Sequence, residues 1–187
     1  GVTTGETTLI EPSFTAASYY NTGTEVQLSY VGGFATDGTA LYVADGSHKL
    51  IRKIDLTTSN ISTLAGKLEN YADGTGVNGE FLHPDKMVRI GTDLYVVDDS
   101  RIRKVDSATG AVSTLQTSGE SYNWIERLTT DGTDIYFTSY VSGGSSSGYK
   151  LFKLSVADGV VSELQTSGGD NSSSSSNIIG LASDGTD

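Results

Sequence analysis

The sequence predicts an all-β fold made of repeated four-stranded blades, and three observations carry that prediction. A pair of strand-like runs returns along the chain: LYVADGSHKLIRKID at 41–55, LYVVDDSRIRKVD at 94–106 and, more loosely, IYFTSY followed by an insertion and KLFKLS within 135–155. Each pair is followed by a further short element, ISTLAG at 61, VSTLQT at 112 and VSELQT at 161. Each is preceded by a Gly-containing turn, ATDGTA at 35, RIGTD at 89 and TTDGTD at 129, with ASDGTD at 182 as a fourth. The turn glycines Gly38, Gly91, Gly132 and Gly185 stand 53, 41 and 53 residues apart. Four antiparallel strands in a repeat of about 40 to 50 residues make one blade of a β-propeller. The expected architecture is three full blades plus partial blades at both ends, an incomplete ring.

In the first unit the strands fall near 33–36, 41–44, 50–54 and 61–65, short runs rich in Val, Ile, Leu, Tyr and Thr between Asp-Gly and Ser-rich punctuation. No stretch reads as a helix. Leu41 and Val43 alternate with Tyr42 and Ala44, so both faces of this strand are apolar, as a strand sandwiched between two neighbouring blades requires. Arg52 and Lys53 in the third strand are expected nearer the rim, in reach of water. The chain divides into an N-terminal segment with an outer closing strand (1–31), blade 1 (32–66), a linking loop with blade 2 (67–117), blade 3 (118–166), and a Ser-rich link with the first strand of an unfinished blade (167–187). TEVQLSY at 24–30 resembles the outermost strand of a blade whose inner strands are missing. Closed rings have at least four blades, and six would need roughly 290 residues against the 187 here. The chain is therefore expected to be part of a longer protein or to be completed by another chain or another copy of itself.

The run LAGKLENYADGTGVNGEFLHPDKMVRIGTDLYVVDDSRIRKVD at 64–106 resembles the NHL-repeat family of β-propellers. Units of that family join a strand ending LAG to a DGTG loop, a Phe, a Pro, an LYVAD strand and an IRKID strand. The match is specific across 34–115 and weaker across 124–164. It departs from the pattern at Gly79, which replaces a usual small alanine, before Gly91, where the residue is not Asp, and in the middle of the third unit, where Ser and Gly intervene. Propellers of the low-density-lipoprotein-receptor type share an aromatic strand, but their Tyr-Trp-Thr-Asp signature is absent. Enzymes with NHL-like propellers, such as amidating lyases, use several histidines on the central face, whereas this chain has only His48 and His83.

Antiparallel order alone places the first-to-second and third-to-fourth turns on one face of the disc, and the second-to-third loops and blade links on the other. Turns on the first face barely change in length. On the second face the links at 67–86, 116–124 and 165–177 differ, and the second-to-third loop grows from DDSR to SYVSGGSSSGYK. Variable loops on a rigid scaffold are where binding groups sit. The candidate contact residues there are Asp45 and His48, Glu69, Tyr71 and Asp73, then His83, Asp98, Asp99 and Arg101, and in the third unit Tyr122, Trp124 and Tyr140. Aromatics interleaved with carboxylates suit a protein, peptide or carbohydrate ligand, or calcium-bridged contacts. Lys86, Arg89 and Arg127 lie on innermost strands, where they either face the central channel or pair with Asp85, Glu126 or a neighbouring acid.

Composition narrows the function. A net charge of -11 opposes binding to nucleic acid or anionic lipid, and no run is long and apolar enough to span a bilayer. Without cysteine there are no disulfides, thiolate zinc sites or cysteine nucleophile. No G-x-S-x-G elbow and no phosphate loop is present. No cofactor is implied; calcium is the alternative, and the Asp73-Gly-Thr-Gly loop would need ligands from other loops to hold it. Asn60 and Asn171 begin glycosylation sequons. The Thr-, Ser- and Gly-rich acidic composition resembles that of secreted or cell-surface proteins. The expected function is a noncatalytic extracellular binding or assembly module; the alternatives are a metal-dependent propeller lyase or hydrolase and a structural subunit of a surface layer or filament.

Overall fold

A computed structural model describes residues 23, 26–67, 71–115, 124–141 and 148–164. Blade 1 consists of β1 (Val31–Thr36), β2 (Ala40–Asp45), β3 (Leu50–Asp55) and β4 (Ile61–Gly66), antiparallel and in sequence order. The next link carries the two-residue strand β5 (Gly74–Thr75), and blade 2 follows as β6 (Pro84–Ile90), β7 (Asp93–Asp98), β8 (Arg101–Asp106) and β9 (Ala111–Thr114). Blade 3 is β10 (Ile125–Thr130), β11 (Ile135–Val141), β12 (Gly148–Leu154) and β13 (Val161–Glu163). Among the described residues there is no α-helix, only two short 3-10 turns. The all-β propeller architecture read from the repeats is the architecture observed.

Adjacent blades are glued by the alternation along each strand. In β7, Leu94 and Val96 join Tyr42, Ala44, Ile51, Ala65, Phe81 and Met87 between blades 1 and 2. Tyr95 and Val97, pointing the other way, join Ile125, Ile135, Phe137, Phe152 and Leu154 between blades 2 and 3. A period of two thus serves two cores from one strand. Innermost strands β1, β6 and β10 run side by side. Their approach is close at Gly33, where a Cβ would lie 2.6 Å from the Met87 nitrogen, so a side chain there would force the blades apart.

The first-to-second turns of blades 1 and 3 are built on an aspartate. Asp37 accepts the Thr39 and Ala40 N–H groups at 2.8 and 2.7 Å and the Tyr42 hydroxyl at 2.8 Å. Asp131 repeats this with Thr133, Asp134 and Tyr136 at 2.9, 2.8 and 2.7 Å. In blade 2 the equivalent residue is Ile90, and Tyr95, lacking a carboxylate partner in the turn, has its phenol pushed up chiefly by burial. The third-to-fourth turns use Asp55 and Asp106 in the same way. Four of the 23 acidic residues, Asp37, Asp55, Asp106 and Asp131, are therefore turn formers, which accounts for part of the negative charge without invoking a ligand.

These donors hold the Asp131 carboxyl at about 2, the Asp134 N–H first, then the Tyr136 hydroxyl and the Thr133 N–H. A carboxyl held below its ordinary value of 3.8 contributes stability that is present above that value and lost as pH falls towards about 2. Asp131→Asn is therefore expected to flatten the acid limb of stability between pH 4 and 2. Guanidinium midpoints taken across that range check it; parallel curves for the two proteins would contradict it.

Two expectations need correction. Arg52 does not reach water at the rim: it is 1 % exposed, while Lys53 beside it is half-buried with its ammonium over the Tyr42 ring. The 24–30 segment does not form an outer strand of an earlier blade over its described residues; Val26 to Tyr30 has no strand, and it enters blade 1 as that blade's link. Gly23 pairs in antiparallel fashion with Ile61 on β4, as Gly74 in the next link pairs with Val112 on β9. Residues 167–187, expected to begin a further blade, lie outside the described residues.

Candidate functional site

The end of each second strand decides how its link is held. Asp45 closes β2, is fully buried, and accepts the Ser29 N–H at 3.1 Å, Arg52 Nε at 3.3 Å and His48 Nδ1 at 2.8 Å. Asp98 closes β7 in the same repeat position and accepts the Leu82 and His83 N–H groups at 2.9 and 2.7 Å and Arg103 Nη1 at 3.0 Å. Burial pushes the Asp98 carboxyl up, against the opposing pull of the His83 N–H, Arg103 and the Leu82 N–H. Burial likewise lowers Arg52, with Asp45 acting the other way. Each pair is a clamp between a third strand and an incoming link. Both aspartates, expected as contact residues, are thereby removed from any contact surface, because a carboxylate with no exposed area cannot reach a ligand.

Arg103 extends its clamp outward. Its Nη2 donates to the Ala72 carbonyl at 2.8 Å and to Asp73 at 2.9 Å, and its Nη1 also donates to the Glu80 carbonyl at 3.0 Å. Tyr71 covers the guanidinium at 4.3 Å and that of Arg101 at 4.7 Å, and its hydroxyl meets the Thr114 hydroxyl at 2.6 Å. Asp73 takes the Thr114 hydroxyl and N–H as well. Burial of Asp73 opposes these Thr114 and Arg103 contacts, which together hold its carboxyl below the ordinary value. Tyr71, Asp73 and Arg101 thus belong to the packing of the blade 2 link on β8 and β9. Among the described residues no three His, Asp or Glu side chains converge as metal ligands would.

Blade 3 abandons the clamp. Register places Ser139 where blades 1 and 2 have Asp45 and Asp98, and Phe152 where they have Arg52 and Arg103. Phe152 stacks on Phe137 at 5.3 Å between centroids, so an apolar ring pair occupies the place of an ion pair.

What remains exposed on the link face is a set of aromatic rings. Tyr30, His83 and Trp124 are 53 and 41 residues apart, the spacing of the turn glycines, so each is the last link residue before its blade's inner strand. Tyr30 and Trp124 are 61 % and 47 % exposed, and Tyr30 meets His83 edge-on at 5.4 Å. The Tyr30 carbonyl accepts the Gly46 N–H and the His83 carbonyl the Asp99 N–H, so each link end is tied to the adjacent second-to-third loop. His83 and Trp124, with Asp85, Val97, Asp99 and Ile125, surround a shallow surface dent between blades 2 and 3. Asp85 is paired with Lys86, and Arg127 with Glu126, which answers the inner-strand question for these two bases.

Of the residues singled out in the sequence, His83, Asp99 and Trp124 come together here. His48 is pinned to Asp45, and Tyr140 packs edge-on against Tyr149 in the blade 3 hairpin. Asn60 is exposed on the opposite, short-turn face. Glu69, Tyr122 and Asn171 lie outside the described residues. Tyr30, Val97 and Ile125 were not anticipated. The repeat spacing that aligns the turn glycines also aligns Tyr30 with His83 and Trp124.

No protein-family model matches the chain, and no curated protein matches it in sequence. Solved structures do. The structure of a nidogen/laminin complex is 17 % identical over 71 % of this chain and 47 % of that one, with a TM-score of 0.51. Virginiamycin B lyase from Staphylococcus aureus is 15 % identical over 75 % and 43 %, with a TM-score of 0.53. A streptogramin B lyase is 12 % identical over 81 % and 48 %, with a TM-score of 0.52. The chain spans less than half the length of each. At these identities the likeness speaks to architecture, and it agrees with the repeats and with the sheets: the fold is that of a β-propeller.

Proposed function

We propose that the chain is a noncatalytic, NHL-like β-propeller module that works outside the cell as a binding or assembly unit through the face carrying its blade links. The observation that carries this reading is the aromatic residue at the same position of three successive links, Tyr30, His83 and Trp124. Tyr30 and Trp124 are left largely exposed, whereas Tyr42, Phe81, Tyr95, Phe137 and Phe152 are buried between blades. Exposed aromatics set on rigid elements supply much contact area for little ordering entropy, which is the economy of a recognition surface. Neither packing nor turn formation demands them, since the buried clamps and turn aspartates already hold the loops. The Thr- and Ser-rich composition without cysteine suits an extracellular setting.

Peptide and glycan arrays probed with the whole chain test the reading. Tyr30→Ala combined with Trp124→Ala is expected to reduce array binding by about tenfold or more while leaving the circular dichroism and the unfolding midpoint near those of the parent. Substitutions of Thr39 or Ala108, on the short-turn face, should leave binding intact. The opposite pattern, binding abolished from Thr39 or Ala108 and retained in the double variant, would put the contact surface on the other face.

A further inference from the structure

We propose that the outer edge of blade 3, strand β13, docks an extended segment of a protein partner, added there as a fifth strand with a Gly-Thr pair opposite Val161. The repeat supplies the comparison. Ile61 on β4, Val112 on β9 and Val161 on β13 stand opposite Ile54, Val105 and Leu154, so the three hold one register position in successive blades. In blade 1 both main-chain groups of Ile61 are taken by Gly23: the Ile61 N–H donates to the Gly23 carbonyl at 2.8 Å, and the Ile61 carbonyl accepts the Gly23 N–H at 2.9 Å. In blade 2 Val112 pairs with Gly74, and the sheet gains β5 as its fifth strand. Each of these glycines is followed by a threonine, Thr24 and Thr75.

Blade 3 keeps the edge without the added strand. The Ser155 N–H donates to the Val160 carbonyl and the Leu164 N–H to the Leu151 carbonyl, so the N–H and C=O of Val161 point outward, as those of Ile61 do. Among the described residues nothing bonds to them. The blade 2 link spends seven residues, 67–73, before its pairing glycine, and the blade 1 link spends seven, 24–30, after its own; the ten residues 115–124 cannot hold both spans, and they contain no Gly-Thr. A sheet edge with outward donor and acceptor groups is the template for strand addition.

The same register says what the segment carries before its glycine. In blade 2 that residue is Asp73, which meets Arg103 and Thr114. Their places in blade 3 are filled by Phe152 and Glu163. An acid there would meet a ring and a carboxylate instead of a guanidinium, so the segment that fits is uncharged at this position. Two copies joined edge to edge at β13 are the poorer occupant, because each brings a net charge of -11 and its own Glu163. The site lies on the outermost strand and does not depend on the exposed rings of the link face.

The test titrates the whole chain with the peptide Tyr-Ala-Ala-Gly-Thr-Gly, which copies residues 71–76 with alanine in place of Asp73, and follows amide hydrogen exchange. In the free chain the Val161 amide is expected to exchange about tenfold or more faster than those of Ile61 and Val112, and saturating peptide should slow it about threefold or more while leaving the other two unchanged. Sarcosine in place of the peptide's glycine, with no N–H for the Val161 carbonyl, should weaken binding about fivefold, and restoring the aspartate about threefold. Val161→Pro removes the outward donor without breaking a bond to β12 and should lose the peptide, with circular dichroism confirming its fold. The Tyr30→Ala, Trp124→Ala double variant should bind the peptide as the parent does. A Val161 amide as slow as that of Ile61 in the free chain, no slowing at millimolar peptide, or equal binding of the glycine and sarcosine peptides overturns the proposal. So does a dimer in sedimentation that Val161→Pro disperses, which would make a second copy the occupant, or peptide binding lost in the double variant, which would move the site to the link face.

Discussion

Asp98→Ala is expected to destabilise the fold by about 3–5 kcal/mol, among the largest losses available to a single substitution in this chain. The change removes the acceptor for the Leu82 and His83 N–H groups and leaves the Arg103 guanidinium, fully buried, without its most buried carboxylate. Hydrogen bonds to the Ala72 and Glu80 carbonyls and the half-exposed Asp73 remain, but they do not replace a buried counter-charge. Blade 3 suggests the rescue. Asp98→Ser together with Arg103→Phe copies the Ser139 and Phe152 arrangement and removes both charges at once, so it should be substantially more stable than Asp98→Ala alone. Urea midpoints of the parent and both variants check this; a double variant less stable than the single one would show that the clamp cannot be exchanged for rings in blade 2.

The reciprocal experiment in blade 3 carries the second large effect. Phe152 is 1 % exposed and stacks on Phe137 in the core shared with blade 2, so Phe152→Ala should lose about 3–5 kcal/mol through lost burial and the cavity left behind. Phe152→Arg, which restores the residue of the other two blades, should be worse than alanine, because Ser139 offers no charge to meet the guanidinium. Adding Ser139→Asp should recover part of that loss. Were Phe152→Arg as stable as Phe152→Ala by itself, the ion pair in blades 1 and 2 would owe nothing to its aspartate.

The blades were legible in the sequence because their strands repeat at nearly constant spacing and their turns carry Asp and Gly. The fate of the arginines was not. IRKID and IRKVD place Arg and Lys side by side, and alternation sends one outward and the other into the blade interior. Only the register, with Arg52 opposite Val43 and Arg103 opposite Val96, says that it is the arginine that goes in. Asp45 and Asp98 looked like surface carboxylates at loop entrances, and their burial depends on those arginines and on link N–H groups 15 or 16 residues away. The Gly79 departure was visible but its reason was not: a Cβ there would fall 2.7 Å from the Val112 Cβ, a contact across 33 residues of chain. His83, Asp99 and Trp124 were found because they are polar or aromatic on variable loops. Val97 and Ile125 beneath them read only as core, which they also are.

The pairing of β5 with β9 bears on where one structural unit begins. Each of the first two links lies along the outer edge of the blade it is about to enter, Gly74 on Val112 and, one unit earlier, Gly23 on Ile61, before crossing to the innermost strand. The edge that would otherwise template pairing with a foreign strand is partly hemmed by the chain's own earlier residues. During synthesis the hem of blade 2 waits unpaired until β9 has been made. The natural module, for excision, duplication or grafting, therefore starts at the link near Tyr71 and ends near Leu115. A cut placed at the start of β6 would leave the outermost strand bare.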